Sequence, residues 1–232
     1  MEWKYRFING NILKLLALVT MTIDHVGLIL MGNFTPFRIV GRLAFPIFAY
    51  MIAEGCRYTK NKVKYLCSIF AVGLLNQIVL YITLKSLMQS IMITFTLSIL
   101  MVYAIQWSQS VKWKLSWLLP LAVITAVAFI CEAVPFFWSE IRFSIDYGFW
   151  GATLPVFISL SNHFTRKWFL TALGLLIICL SLGGLQWWSF MALIPLLFYN
   201  GQRGKWNIKW LFYIYYPLHL AFLWGISFII LM

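Results

Sequence analysis

The chain has 232 residues, 62% of them hydrophobic, 19% aromatic and only 10% charged. That leaves too little polar surface to coat a soluble globule of this size, so lipid must cover the rest. A net charge of +12 in a soluble domain would point to nucleic acid; here the basic residues sit in short connectors beside apolar runs, where they set orientation and meet anionic lipid headgroups, which argues against a nucleic-acid partner.

The expected fold is all-α, a polytopic transmembrane bundle in a single domain over residues 1–232, with no internal repeat and no low-complexity linker. Taken in chain order, apolar stretches fall at about 12–32, 37–56, 64–84, 90–107, 115–134, 147–161, 168–183, 185–200 and 210–231, which makes about nine spans. The first could imitate a signal peptide, but Asp24 and His25 interrupt it and no small-residue cleavage site follows, so it is read as a retained span. The sixth, seventh and eighth are short and carry Pro155, Gly183, Gly184 and Pro195, which predicts re-entrant or strongly tilted segments there. With a cytoplasmic N-terminus, 14 of the Lys and Arg residues lie inside, Lys4 and Lys209 among them. Only Arg38, Arg42, Lys85 and Arg142 lie outside, which predicts an external C-terminus. Cys56, Cys67, Cys131 and Cys179 are scattered without metal-ligand spacing and imply neither a disulfide framework nor a metal site.

Ionisable groups inside spans cost about 2.5–3.5 kcal/mol each on insertion, so each needs a partner or a purpose. Asp24 and His25 lie in the first span, and His219 in the last, at depths that let the two histidines share a cavity. Adjacent helical residues point about 100° apart, so Asp24 is not the carboxylate that orients His25. Arg38 and Arg42, four residues apart on one face of the second span, supply a partner, and an Asp24–Arg42 pair is expected. Pro46 in the same span predicts a kink beside these charges. Tyr215 and Tyr216 stand four and three residues before His219, so packing against tyrosine is the bland alternative to a chemical role. Asp146 reads as a helix cap at the start of the sixth span. Asn76, Gln77, Thr94, Thr96 and Ser98 read as interhelical hydrogen-bonding groups.

At the inner end of the second span Glu54, Arg57 and Tyr58 fall at helical spacing, followed by Lys60, Lys62 and Lys64; Asn200, Arg203, Lys205 and Lys209 form a second basic connector. Each is either an anchored helix end or a basic vestibule for an anionic, nucleotide-containing thioester.

The runs LKLLALVTMTIDHVG and RIVGRLAFPIFAYMIAEGCRYTKN, then DYGFWG, LIPLLFYNGQRG and the closing FYIYYPLHL, occur in an order that resembles the TraX family of membrane proteins. Together they cover most of the chain; the third to fifth spans are the least diagnostic. The founding member acetylates the N-terminal amine of conjugative pilin. The resemblance therefore implies an acetyl-CoA-dependent acyltransferase, multi-pass in a bacterial cytoplasmic membrane, acting without a metal on a peptide N-terminus or a cell-surface molecule. Fold does not fix the acceptor. On that expectation His25, Asp24, Arg42 and His219 are the catalytic candidates. Arg38, Glu54, Arg57, Tyr58, Lys62, Lys64, Asn200 and Arg203 are the cofactor-binding candidates. His25 would be the general base or acyl carrier, Arg42 would stabilise negative charge, and His219 would move a proton. The rival classes are a small transporter or flippase, which also keeps His, Asp and Arg at depth, and a non-catalytic assembly or immunity factor.

Overall fold

The computed structural model describes residues 6–137, 143–206 and 208–231. Lys4 and Arg142, two of the charges used for orientation, lie outside the described residues. The described chain is nearly all helical, and seven of its helices are long and apolar enough to cross a membrane. It is a multi-pass membrane protein.

α1 (Gly10–Ile29) starts at Asn9, whose side-chain oxygen accepts from the backbone N–H groups of Asn11 and Ile12 and so satisfies two first-turn donors. Gly32 and Asn33, both with positive φ, turn the chain into α2 (Thr35–Gly41). The second predicted span is not one kinked helix. It breaks at Arg42 and Leu43 and resumes as α3 (Ala44–Tyr58). Pro46 therefore sits in the first turn of a new helix, where its missing N–H removes no rung of the ladder.

α4 (Lys62–Leu84) is capped by Asn61, whose Oδ1 accepts from the Lys64 N–H, and ends on Lys85 in the left-handed region. A two-residue strand β1 (Met88–Gln89) pairs in parallel with β2 (Ser144–Ile145). Between them run α5 (Ile91–Ser110), α6 (Leu118–Ala128), a π turn (Phe129–Ala133) and α7 (Val134–Phe137). The π turn absorbs Pro135, which cannot donate to the preceding turn. Next come α8 (Gly148–Ser159) and α9 (Phe164–Leu182), a 3-10 segment (Gly184–Ala192), α10 (Leu193–Leu197) and α11 (Lys209–Leu231). The sixth and eighth predicted spans are the short ones. α8 covers about 18 Å and the 3-10 segment with α10 roughly 25 Å, against a hydrocarbon core of about 30 Å. Gly183 and Gly184, both at positive φ, reverse the chain between α9 and the 3-10 segment.

The chain divides into two compact units, Met1–Met51 with His163–Met232, and Ile52–Asn162. In the second unit α5 is central: Phe95, Ile99, Met101 and Val102 are buried, Gly73 of α4 admits Ile93, and Ser98 donates to the Ala152 carbonyl of α8. Glu132 reaches the first turn of α8, where its carboxylate accepts from the Phe149 N–H, and the Asp146 carbonyl accepts from the Thr94 hydroxyl.

In the first unit α1 and α11 run side by side in the same direction, as the contacts Lys14 with Phe212, Thr22 with Tyr215 and His25 with His219 require. The start of α9 lies at the N-terminal end of α1, where Arg6 covers the Phe164 ring at 3.5 Å. The 3-10 segment begins at the opposite end, where Gln186 meets Arg42, and the chain returns to pair Tyr199 with Ile8.

Candidate functional site

The four catalytic candidates, Asp24, His25, Arg42 and His219, all lie in the first unit. α2 folds back on α1 closely enough that a Cβ on Gly41 would lie 2.1 Å from the Asp24 carboxylate, and one on Gly27 would lie 2.6 Å from Phe37. Only glycine at these positions lets the two helices approach. Asp24, buried, then takes two guanidiniums: Arg38 Nη1 donates to Oδ2 at 2.7 Å, and Arg42 Nη2 donates to Oδ1 at 3.1 Å. The expected Asp24–Arg42 pair is present, and Arg38 joins it. Arg42 is held further by its Nε donating to the Arg38 carbonyl and its Nη1 donating to Gln186 Oε1. Two guanidiniums share the Asp24 carboxylate.

One residue along α1, His25 points elsewhere. Its Nδ1 lies 2.9 Å from His219 Nε2, and His219 Nδ1 lies 3.0 Å from the Tyr215 carbonyl oxygen. A carbonyl oxygen only accepts, so His219 Nδ1 carries a proton; in neutral rings His219 Nε2 is then the acceptor and His25 Nδ1 the donor. The lone pair of the chain resides on His25 Nε2, which meets no hydrogen-bond partner among the described residues. A half-buried imidazole in this tautomer has the form of a general base.

His219 is buried and tightly oriented. The Tyr215 ring stacks on it at 5.2 Å and 6°, and Tyr216 meets it edge-on. Thr22 donates to the Leu18 carbonyl, so the Tyr215 hydroxyl donates to Thr22 Oγ1, at 2.8 Å. Tyrosine packing and a chemical role for His219 are therefore not alternatives, because Tyr215 fixes both the ring plane and the tautomer. Thr22 and Gln186 are parts of the site that sequence reasoning did not nominate, and Tyr215 was named there only as a packing partner of His219.

The cofactor-binding candidates do not form one group. Arg38 belongs with Asp24. Asn200 and Arg203 lie toward the other end of α1, where Gly10 donates to the Gln202 carbonyl, Asn11 Nδ2 donates to the Trp206 carbonyl, and Lys14 and Arg203 act on each other electrostatically. Asn200 itself caps the loop by accepting from the Gln202 N–H, and Arg203 is exposed. The remaining candidates are in the second unit. Glu54 is buried, whereas Arg57, Tyr58, Lys62 and Lys64 are exposed. Arg57 lies against the Tyr58 ring, and Lys62 donates to Gln106 while lying over Tyr103. Exposed cations beside aromatic faces have the chemistry to receive phosphate. Among the described residues no group of three or more His, Cys, Asp or Glu side chains could hold a metal ion.

The family model described as TraX protein matches residues 9–227. A protein of Dichelobacter nodosus described as a probable fimbrial assembly protein, FimC of serogroup H1, is 25% identical over 251 residues, covering 91% of this chain and 92% of its own length. An uncharacterized protein of Rickettsia prowazekii is 50% identical over 40 residues, covering 17% of this chain and 16% of its own. No solved structure matches the chain. The matched residues take in α1 with Asp24 and His25, the arginines of α2, Gln186 and His219, and the chain belongs to the TraX family.

Proposed function

We propose that the protein is an integral membrane acyltransferase that moves an acetyl group from acetyl-CoA to an amine or hydroxyl of an acceptor. It would sit in the bacterial cytoplasmic membrane with its N-terminus inside, its C-terminus outside and nine crossings, two of them by the short segments. The basic connectors support that orientation, as does the recurrence of Arg6, Phe164 and Tyr199 at one end of the first unit.

The observation that carries the reading is the chain of hydrogen bonds from the Tyr215 carbonyl through His219 to His25, on the helix whose Asp24 holds an arginine pair. Acyl transfer needs a base and a stabiliser of negative oxygen, and both are here. His25 Nε2 takes the proton from the attacking amine or hydroxyl. His219, donating to the Tyr215 carbonyl, accepts the hydrogen bond of His25 and stabilises the imidazolium that forms. The guanidiniums of Arg42 and Arg38, within electrostatic range of His25, offset the charge on the carbonyl oxygen. The exposed Arg203, in the same unit as His25, is the candidate for receiving the coenzyme A phosphates. An acceptor resembling a pilin N-terminus fits the family and the relative named for fimbrial assembly.

The test is purified protein in nanodiscs with acetyl-labelled acetyl-CoA and a peptide carrying a free N-terminus. Saturable coenzyme binding and label on the peptide are expected. No binding, together with movement of a polar solute across proteoliposomes, would replace the enzyme with a transporter.

A further inference from the structure

Gln186 starts the return path of the chain from Gly183 and Gly184, and its backbone is fixed: its N–H donates to the Gly183 carbonyl and its own carbonyl accepts from the Cys179 thiol. The side chain is 4% exposed. Its Oε1 accepts from Arg42 Nη1, and because a guanidinium has only donors, this contact settles which way the amide faces. Nε2 is turned away from Arg42, is buried, and meets no acceptor among the described residues. Arg38 Nε, on the other side of the Asp24 carboxylate, is in the same condition. Both oxygens of Asp24 are already engaged by arginine. Around Asp24 there are therefore two unmet donors and no unmet Asp24 oxygen, inside a membrane unit where water is scarce. Donors alone, backed by cations, are complementary to an oxygen that bears or develops negative charge.

We infer that Gln186 is a further catalytic residue, whose Nε2–H, with the Asp24-bridged arginines, binds the carbonyl oxygen of the transferred acyl group. The inference rests on the acyltransferase reading. In the step it serves, the acceptor lone pair forms a bond to the thioester carbonyl carbon, and the C=O π pair moves onto oxygen. That oxyanion is held by Gln186 Nε2–H and the guanidiniums, while the acceptor proton passes to His25 Nε2. Collapse restores C=O and breaks the C–S bond, and the coenzyme thiolate leaves with the proton returned from His25. Nothing is oxidised or reduced.

Gln186→Glu is the informative variant. It keeps the length, the volume and the oxygen facing Arg42, exchanges the unmet donor for an acceptor, and adds a carboxylate charge that strengthens its hold on Arg42. A residue that merely orients Arg42 would tolerate it. With labelled acetyl-CoA in nanodiscs, kcat of Gln186→Glu is expected to fall about 100-fold with KM for acetyl-CoA within about twofold. Gln186→Met, which lacks donor and acceptor, serves if the Glu variant does not fold and should lose as much. Retention of kcat within about twofold by a folded variant of either kind overturns the inference. A second readout does not need turnover: the acetate dependence of thermal unfolding, against chloride at equal ionic strength. Stabilisation by acetate in the wild type and its loss in Gln186→Met upholds an oxygen-anion site even if the wild type transfers no label, in which case only the acyltransferase reading fails. Absence of stabilisation in a wild type that also transfers no label overturns both.

Discussion

At the scale of single residues, the site depends on compensation that one substitution can remove. Asp24 holds Arg38 at 2.7 Å and Arg42 at 3.1 Å. Asp24→Asn should therefore take from two poorly solvated guanidiniums the carboxylate they share, at a cost of about 3–5 kcal/mol, read as a lower unfolding temperature in detergent. Adding Arg42→Leu should recover part of that loss, a sign that the charge imbalance rather than the lost contact dominates. The Tyr215 hydroxyl is a smaller matter. Its bond to Thr22 is one interhelical hydrogen bond, so Tyr215→Phe, which keeps the stacked ring, should cost about 0.6 kcal/mol and little activity. His219→Ala removes the acceptor that holds His25 in its tautomer and should lower transfer at least 10-fold. Asp24, His25, Arg42 and His219 were legible in the sequence because charge in an apolar run has few explanations. Gln186 was not, because an amide in LGGLQWWSF looks like a polar residue at a segment end until the reversal at Gly183 brings it to Arg42, 144 residues away in sequence.

At the scale of elements, the tight α1–α2 hairpin creates the site, and it depends on the absence of side chains at Gly27 and Gly41. Gly41→Ala would drive its Cβ into the Asp24 carboxylate, part of a fixed ion-pair cluster rather than a flexible tip. The expected result is a folded fraction much reduced in size-exclusion profiles, with activity lost in what remains; normal yield and activity would mean that α2 can move away from α1 without consequence. The periodic apolar runs gave every helix within a few residues, since length and hydropathy suffice for membrane spans. They did not give the break at Arg42 and Leu43. Proline marks a discontinuity without saying on which side of it the new helix begins, and here α3 restarts two residues before Pro46.

At the scale of the whole molecule, the reading commits to a sidedness. Single cysteines at Lys60 and Lys205, in an otherwise cysteine-free background, should resist a membrane-impermeant maleimide in intact cells and react after permeabilisation, whereas one at Lys85 should react at once. Labelling in the reverse pattern would invert the orientation and with it the side from which acetyl-CoA enters. Orientation was legible only through the distribution of Lys and Arg, because helix length carries no direction. Those three sites read alike for seven and for nine crossings; a cysteine at the exposed Arg166 separates them, since it resists the reagent only if α8 crosses. The central claim is that a membrane-embedded imidazole does acyl chemistry. Its most direct measurement compares transfer of labelled acetyl from acetyl-CoA to a free peptide N-terminus by wild type and by His25→Ala, at equal abundance and equal unfolding temperature in nanodiscs. The account predicts robust transfer by the wild type and a loss of at least 100-fold in the variant; equal transfer by the two proteins would contradict it.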